Sequence, residues 1–307
     1  MTDPYRYPGT GATVVAPAPG SGPGNWSGAA SAVVHDGAVY LTWRSRRPLA
    51  DGRGVSVLVA SSVDGVTFQE VCRIDRDAFG AESFERPALA FLPDGSVRIY
   101  LSCATRQSKH WWIDTLTAAS VAQLPSGVRA IAVPGTEVMA VKDPVLWRQE
   151  ADTERPWRMF VCCHPLTDQG EEDRMTSRLF SSADGLDWRD DGEVLRPTVG
   201  SWDARGARIA AVIPGGSVVP DVIYDGRPDA DSNWFETSGL ARWDGERYRP
   251  VPDLRWQSED PAREVDPHGL TDAALRYASA VEFQGVVRWY AEAARPDGAH
   301  DLVTWTR

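Results

Sequence analysis

Short runs of Val, Ile, Leu, Tyr, Trp and Phe alternate along this chain with breaks of Gly, Asp and Pro, and helical periodicity is nearly absent. That alternation predicts strands and tight turns rather than helices. The breaks repeat a signature: HDG at 35–37, VDG at 63–65, PDG at 93–95, ADG at 183–185, YDG at 224–226, WDG at 243–245 and PDG at 296–298. Asp-Gly supplies the positive φ that tight hairpins need. SSVDGVTF (61–68), SSADGLDW (181–188) and ARWDGERY (241–248) each add an aromatic residue three positions after the turn glycine.

A longer unit recurs as well. Segments that begin at Trp26, Glu85, Lys142, Asp203 and Leu275 each open with a paired-strand pattern, as in WSGAASAVVHDGAVYLTW and LRYASAVEFQGVVRWYAEA. Their spacing, roughly 55–70 residues, is a repeat length that signals a propeller or an array. The expected fold is all-β: a five-bladed β-propeller of four-stranded antiparallel blades around a central channel. A two-sheet sandwich gives no reason for such a repeat. Residues 25–307 are read as one propeller domain. Residues 1–24, rich in Pro, Gly and Ser, are read as a flexible arm whose 12–17 stretch supplies a closing strand for the last blade.

Composition narrows the function. A formal net charge of −11 over 307 residues argues against a nucleic-acid partner or an anionic membrane surface. No apolar run approaches the roughly 20 residues of a membrane span. The N-terminal stretch has no secretory pattern, and Cys72, Cys103, Cys162 and Cys163 lie in apolar runs without CxxC spacing. Buried reduced thiols in a cytoplasmic protein are expected.

The starts of the repeated strands are unusually polar. They carry Trp26; Glu85 and Arg86; Lys142 and Asp143; Asp203 and Arg205; and Arg276 and Tyr277. In a propeller these starts meet at one mouth of the channel, so they form either a solvated pocket or a buried ion-pair network. Later strands and loops add Lys109, His110 and Trp111, then His164 and Arg174, then Asp225, Arg227, Asn233, Trp234 and Glu236 in DGRPDADSNWFE, and finally Glu292 and His300. No cofactor is expected, and no metal, because His268 and His300 have no recognisable ligand spacing.

This organisation resembles the five-bladed propeller glycosidases, the arabinanase and invertase-like group of glycoside hydrolase families 43, 32, 62 and 68. KDPVLW (142–147) is the most specific match, and the resemblance implies that Asp143 tunes the proton donor or stabilises the transition state. Elements such as FERPAL, SKHWW, WDARG and DGAHDL also resemble actinobacterial glycosyl hydrolase-like proteins. Two departures stand out. The first unit reads NWSGAAS where the group keeps an Asp base or nucleophile, and the fourth reads WDARGAR where the group keeps a Glu acid.

The favoured reading is an enzyme acting on a sugar or sugar-like small molecule. Asp143 orients a hydroxyl or stabilises charge, Asp203 or Glu236 is the acid, and Glu85 or Glu292 is the base. Hydrolysis needs two carboxyls about 5–5.5 Å or about 6.5–9.5 Å apart, one of them protonated. The surplus of Arg, Lys and His suits an anionic ligand, so the alternatives are a lyase, isomerase or cyclase on an anionic or modified sugar, and a non-catalytic carbohydrate-binding propeller. Oligomeric state is not legible.

Overall fold

In a computed structural model, residues 11–167, 170, 174–215, 218–256 and 274–306 are described, and these form an all-β structure. Three sheets have four antiparallel strands in chain order. One holds β6 (Phe84–Phe91), β7 (Val97–Ala104), β8 (Trp111–Ala118) and β9 (Val128–Val133). The next holds β10 (Met139–Arg148), β11 (Trp157–Pro165), β12 (Thr176–Ser182) and β13 (Arg189–Leu195). The third holds β14 (Gly206–Val212), β15 (Val222–Arg227), β16 (Thr237–Trp243) and β17 (Tyr248–Trp256).

The remaining strands make one larger sheet in two runs. One run is β2 (Trp26–His35), β3 (Ala38–Arg46), β4 (Gly54–Ser62) and β5 (Gln69–Asp75). The other is β18 (Leu275–Phe283), β19 (Val286–Ala294) and β20 (His300–Thr306). They join through one parallel pair, Trp26 with His300. On the outer side of β20 lies β1 (Thr13–Ala16), antiparallel, with Thr13 opposite Thr304. The chain after β1 is held by side chains of the last hairpin: Ala18 N–H donates to Asp301 at 2.7 Å and Gly22 N–H to Asp297 at 3.2 Å. Residues 1–10 of the N-terminal arm lie outside the described residues, as does His268.

The leading strands of the runs pack on one another in turn: β2 on β6, β6 on β10, β10 on β14, β14 on β18 and β18 on β2. Apolar clusters fill the spaces between neighbouring sheets and between the two runs of the larger one. Val57, Val59, Phe84, Ile99 and Leu101 fill one such space, and Ala30, Leu41, Tyr290 and Leu302 fill another. Second strands are therefore covered on both faces. Every residue of β7 is buried, and its sequence VRIYLSCA is a nearly continuous apolar run rather than an alternating one.

Six of the seven Asp-Gly pairs form turns whose glycine has positive φ: Gly37, Gly65, Gly95, Gly185, Gly245 and Gly298. The seventh, in YDG, does not. Asp225 and Gly226 lie inside β15, fully buried, because the Asp225 carboxylate has partners there that a turn residue would not find. The aromatics after the turns tie sheets together, as where the Tyr290 hydroxyl donates to Gly65 O at 2.9 Å beside Phe68.

Candidate functional site

Each leading strand is interrupted by a bulge at the same level. Pairing slips between Gly28 and Ser31, Phe84 and Pro87, Lys142 and Val145, Ile209 and Ala211, and Arg276 and Ser279. Ala29, Asp143 and Tyr277 take left-handed φ of 54°, 57° and 54° within these bulges. A bulge frees a main-chain N–H that the ladder no longer uses, and here a side chain of an adjoining sheet or run accepts it. Ala29 N–H donates to Glu292 (3.1 Å), Arg86 N–H to Asp143 (3.2 Å), Asp143 N–H to Ser102 (2.8 Å), Ile209 N–H to Ser177 (2.8 Å) and Tyr277 N–H to Asp225 (2.9 Å). Three buried carboxylates are thus fixed by backbone donors from neighbouring sheets or runs.

Guanidinium groups satisfy the rest of their acceptors. Arg44 bridges Glu85 and Glu292, at 3.0 Å to the latter. Arg276 bridges Glu236 and Glu292, its Nη2 2.7 Å from Glu292 Oε1. Arg208 reaches Asp225 at 2.8 Å and Asp143 at 3.2 Å, and its guanidinium lies 3.8 Å from the centre of the Tyr277 ring. Arg227 donates to Glu236 at 3.0 Å, and His300 Nδ1 meets Glu292 at 2.7 Å. Sequence reading offered a pocket or a buried ion-pair network as alternatives. The structure has a network that lines a cavity.

That cavity, about 140 Å³, opens where the leading strands begin. It is smaller than the roughly 300–1,000 Å³ of sites for drug-sized ligands. Glu85, Glu236, Trp26, Lys109, Trp111, Lys142, His164, Arg276 and Tyr277, all singled out from sequence, line it. Asp143 and Glu292 stand directly behind the lining and hold its cations, and His300 pairs with Glu292. Arg86 runs the other way, donating to Ser31 Oγ (3.0 Å), Ala210 O and Ala278 O (3.1 Å), and so ties β6 to β2, β14 and β18. Beyond it lies a second, more apolar cavity of about 300 Å³.

Four expected site residues stay apart from the cavity. Asp203 and Arg205 sit in the turn before β14; the Asp203 carboxylate accepts from Tyr224 at 3.0 Å and Thr198 at 3.2 Å, and Arg205 donates to Gly170 O at 2.7 Å. His110 faces Thr105 at 2.8 Å, beside a shallower hollow. Arg174 is exposed ahead of β12. The cavity is completed by Arg227, Asn233 and Trp234, from the DGRPDADSNWFE stretch that the sequence offered, and by Arg44, Arg53, Glu82 and Arg208, which the sequence did not mark out. The pattern did hold one signal for Arg208, since ARIAA (207–211) sets its arginine two positions before an alanine, as LRYAS (275–279) does for Arg276. Trp234, on the rim, has a left-handed φ of 85°, costly for a bulky side chain.

The electrostatics favour ionised carboxylates. Burial raises the Glu85 carboxyl, but Arg44, Lys142 and Arg53 outweigh it and hold the group down at about 2. Burial is overcome in the same way at Glu236, by Arg276, Arg208 and Arg227, and at Glu292, by Arg276, Arg44 and His300; both stand below the usual carboxylate range. At Asp225 burial wins against Arg208 and the carboxyl is raised, but that residue does not reach the cavity. Burial also pushes the Tyr277 phenol well up, so it keeps its proton and donates to Glu85 at 3.1 Å. Among the described residues no cluster of three or more His, Cys, Asp or Glu is arranged for a metal ion, and no helix is long and apolar enough to cross a membrane.

No protein-family model matches this sequence, and no curated protein matches it significantly. The fold is far more informative. A thermostable family-43 glycoside hydrolase superposes with a TM-score of 0.65 at 12% identity, over 91% of this chain and 88% of that one. An α-L-arabinofuranosidase from Lactobacillus brevis gives 0.63 at 11% identity, over 91% and 90% of the two chains. A β-1,2-mannobiose phosphorylase from Listeria innocua gives 0.61 at 12% identity, over 98% and 92%. At these identities the likeness establishes a fold, and the fold is that of the propeller-type glycoside hydrolases.

Proposed function

We propose that this chain is a five-bladed propeller enzyme acting on a glycoside or sugar-derived small molecule in the 140 Å³ cavity. The blade count is supported by the successive packing of β2, β6, β10, β14 and β18, with β1 serving as the outer strand of the last blade. One observation carries the reading: Glu85, in β6, and Glu236, ahead of β16, share a small open cavity walled by Trp26, Trp111 and Trp234. Indole faces suit the apolar face of a sugar ring, and carboxylates suit its hydroxyls. The hydrolase, arabinofuranosidase and phosphorylase named above all act on glycosides.

In this reading Glu85, ionised and accepting a hydrogen bond from Tyr277, is the base that takes a proton from water or a sugar hydroxyl and passes it to the departing oxygen as the glycosidic bond breaks. Glu236 faces positive charge as it develops on the sugar. Asp143 acts at one remove, holding Lys142 and Arg208 in place. A second reading, a lyase, isomerase or cyclase, is favoured by the ionisation of both lining carboxylates. Neither Glu85 nor Glu236 then serves as the protonated acid of a two-carboxylate hydrolase.

A panel of nitrophenyl glycosides tests the proposal through release of nitrophenol. The expected outcome is turnover of at least one glycoside, falling about 10²–10⁴-fold in Glu85→Gln, the usual contribution of a general base. Turnover of none, or turnover indifferent to Glu85→Gln, overturns it.

A further inference from the structure

The charges of the cavity do not cancel evenly through its depth. In the buried layer, Arg44, Arg208, Arg227 and Arg276 stand among Glu85, Glu236, Glu292, Asp143 and Asp225 in interlocking pairs, while Arg46 stacks on Trp26 at 3.9 Å and donates to Gly24 O. At the mouth the lining adds three more cations, Arg53, Lys109 and Lys142, against one more carboxylate, Glu82. Two of those cations converge on one aromatic ring. Lys142 Nζ is 5.0 Å and the Arg53 guanidinium 5.6 Å from the centre of the Trp111 ring.

Like charges on one indole repel each other, and neither has a strong partner to offset this. Lys142 reaches Asp143 only at 3.6 Å and Arg53 reaches Glu85 only at 3.7 Å, because Arg208 and Arg44 hold the better positions on those carboxylates. Arg53 Nε is buried with no hydrogen-bond partner. Its backbone takes a left-handed φ of 58°, so the chain bears local strain where it presents this guanidinium. Side-chain exposures of 12% for Lys142 and 26% for Arg53 leave both accessible from the cavity.

We infer that Arg53, Lys142 and Lys109, around Trp111, form an anion subsite that takes a carboxylate or phosphate group of the ligand. A single anion there relieves the mutual repulsion of the cations, fills the idle donors, and forms charge-assisted hydrogen bonds that a neutral sugar hydroxyl cannot match. The inference rests on the reading of the cavity as a sugar site and names the class of sugar: an acidic or phosphorylated one, or a sugar bound together with free phosphate.

Calorimetric titration at fixed ionic strength with glucose, glucuronate, glucose 6-phosphate and inorganic phosphate separates the cases. At least one anionic probe is expected to bind about tenfold or more tighter than glucose, as one charge-assisted contact provides. Lys142→Met and Arg53→Met should each bring that probe down to the level of glucose, and Lys142→Arg should restore most of the difference. Preference for glucuronate or glucose 6-phosphate over inorganic phosphate places the anion on the sugar, and the reverse preference makes free phosphate the ligand. Equal binding of all four probes, or anion binding unchanged in Lys142→Met and Arg53→Met, overturns the inference. Should nitrophenyl glycosides still be turned over in a Glu85-dependent way, the subsite falls and the sugar-acting reading stands.

Discussion

Lys142 and Asp143 are sequence neighbours in a strand, and their charged ends nevertheless meet, with Nζ 3.6 Å from Oδ2. Regular strand geometry sends adjacent side chains to opposite faces. The left-handed φ of 57° at Asp143, within the bulge, turns them to the same side. Asp143 then serves Arg208, Lys142 and the Arg86 N–H together, and is fully buried.

Asp143→Asn should therefore cost far more than removing its sequence neighbour. The variant leaves Arg208 without one of its buried anions, a loss of about 3 kcal/mol by analogy with broken buried pairs. Lys142→Met removes a weaker contact at the mouth and should cost under about 1 kcal/mol. Urea unfolding of the two variants reads the difference, and equal losses would show that Lys142 rather than Arg208 is the main partner of Asp143.

Gly28 is required by close approach. A Cβ built there would stand 1.8 Å from Glu292 Oε2, the atom that also accepts the Ala29 N–H and pairs with Arg44. Gly28→Ala should displace that carboxylate and destabilise the fold by about 2–4 kcal/mol, as loss of a buried ionic contact does. A thermal midpoint within a degree or two of wild type would contradict this arrangement.

Arg86 ties the leading strands together by donating to main-chain carbonyls of Ala210 and Ala278. Burial lowers its guanidinium to about 10, so it is still charged at neutral pH. Arg86→Leu keeps much of the bulk and orphans both carbonyls, at about 1–3 kcal/mol each. Denaturant unfolding should show the summed loss, and a loss under 1 kcal/mol would mean that water replaces the guanidinium without penalty.

Acid stability should depend on the cavity carboxylates. Glu85 is lowered from 4.5 to about 2. The stability it adds is complete above the unfolded value and is lost as pH falls from about 4.5 through about 2. The shift corresponds to about 3 kcal/mol, of which about 2 kcal/mol is gone by pH 3. Glu236 and Glu292 act in the same direction. In Glu85→Gln the difference in unfolding free energy between pH 7 and pH 3 should shrink by about that 2 kcal/mol. An unchanged difference would show that Glu85 does not carry the effect.

The repeat of strand openings and Asp-Gly turns was legible because both are local. Period-2 alternation and a glycine at positive φ are properties of a few adjacent residues, and they predicted the strands and six of the seven turns. YDG misled because the same dipeptide also fits inside a strand when a distant arginine, Arg208, waits for the aspartate. The polar strand openings at Glu85, Lys142 and Arg276 could be read as residues destined for one place. Which of them face the cavity could not, because the bulges that reverse side-chain direction follow from how sheets meet. Asp203 stands on a turn under Tyr224, while Arg44 and Arg208, unremarked in apolar runs, bind the acids together. Sequence alone determined the strands, their repetition and the stock of charges. Only tertiary structure decided the pairings, since a guanidinium bridge between carboxylates hundreds of residues apart exists only where strands from different sheets converge.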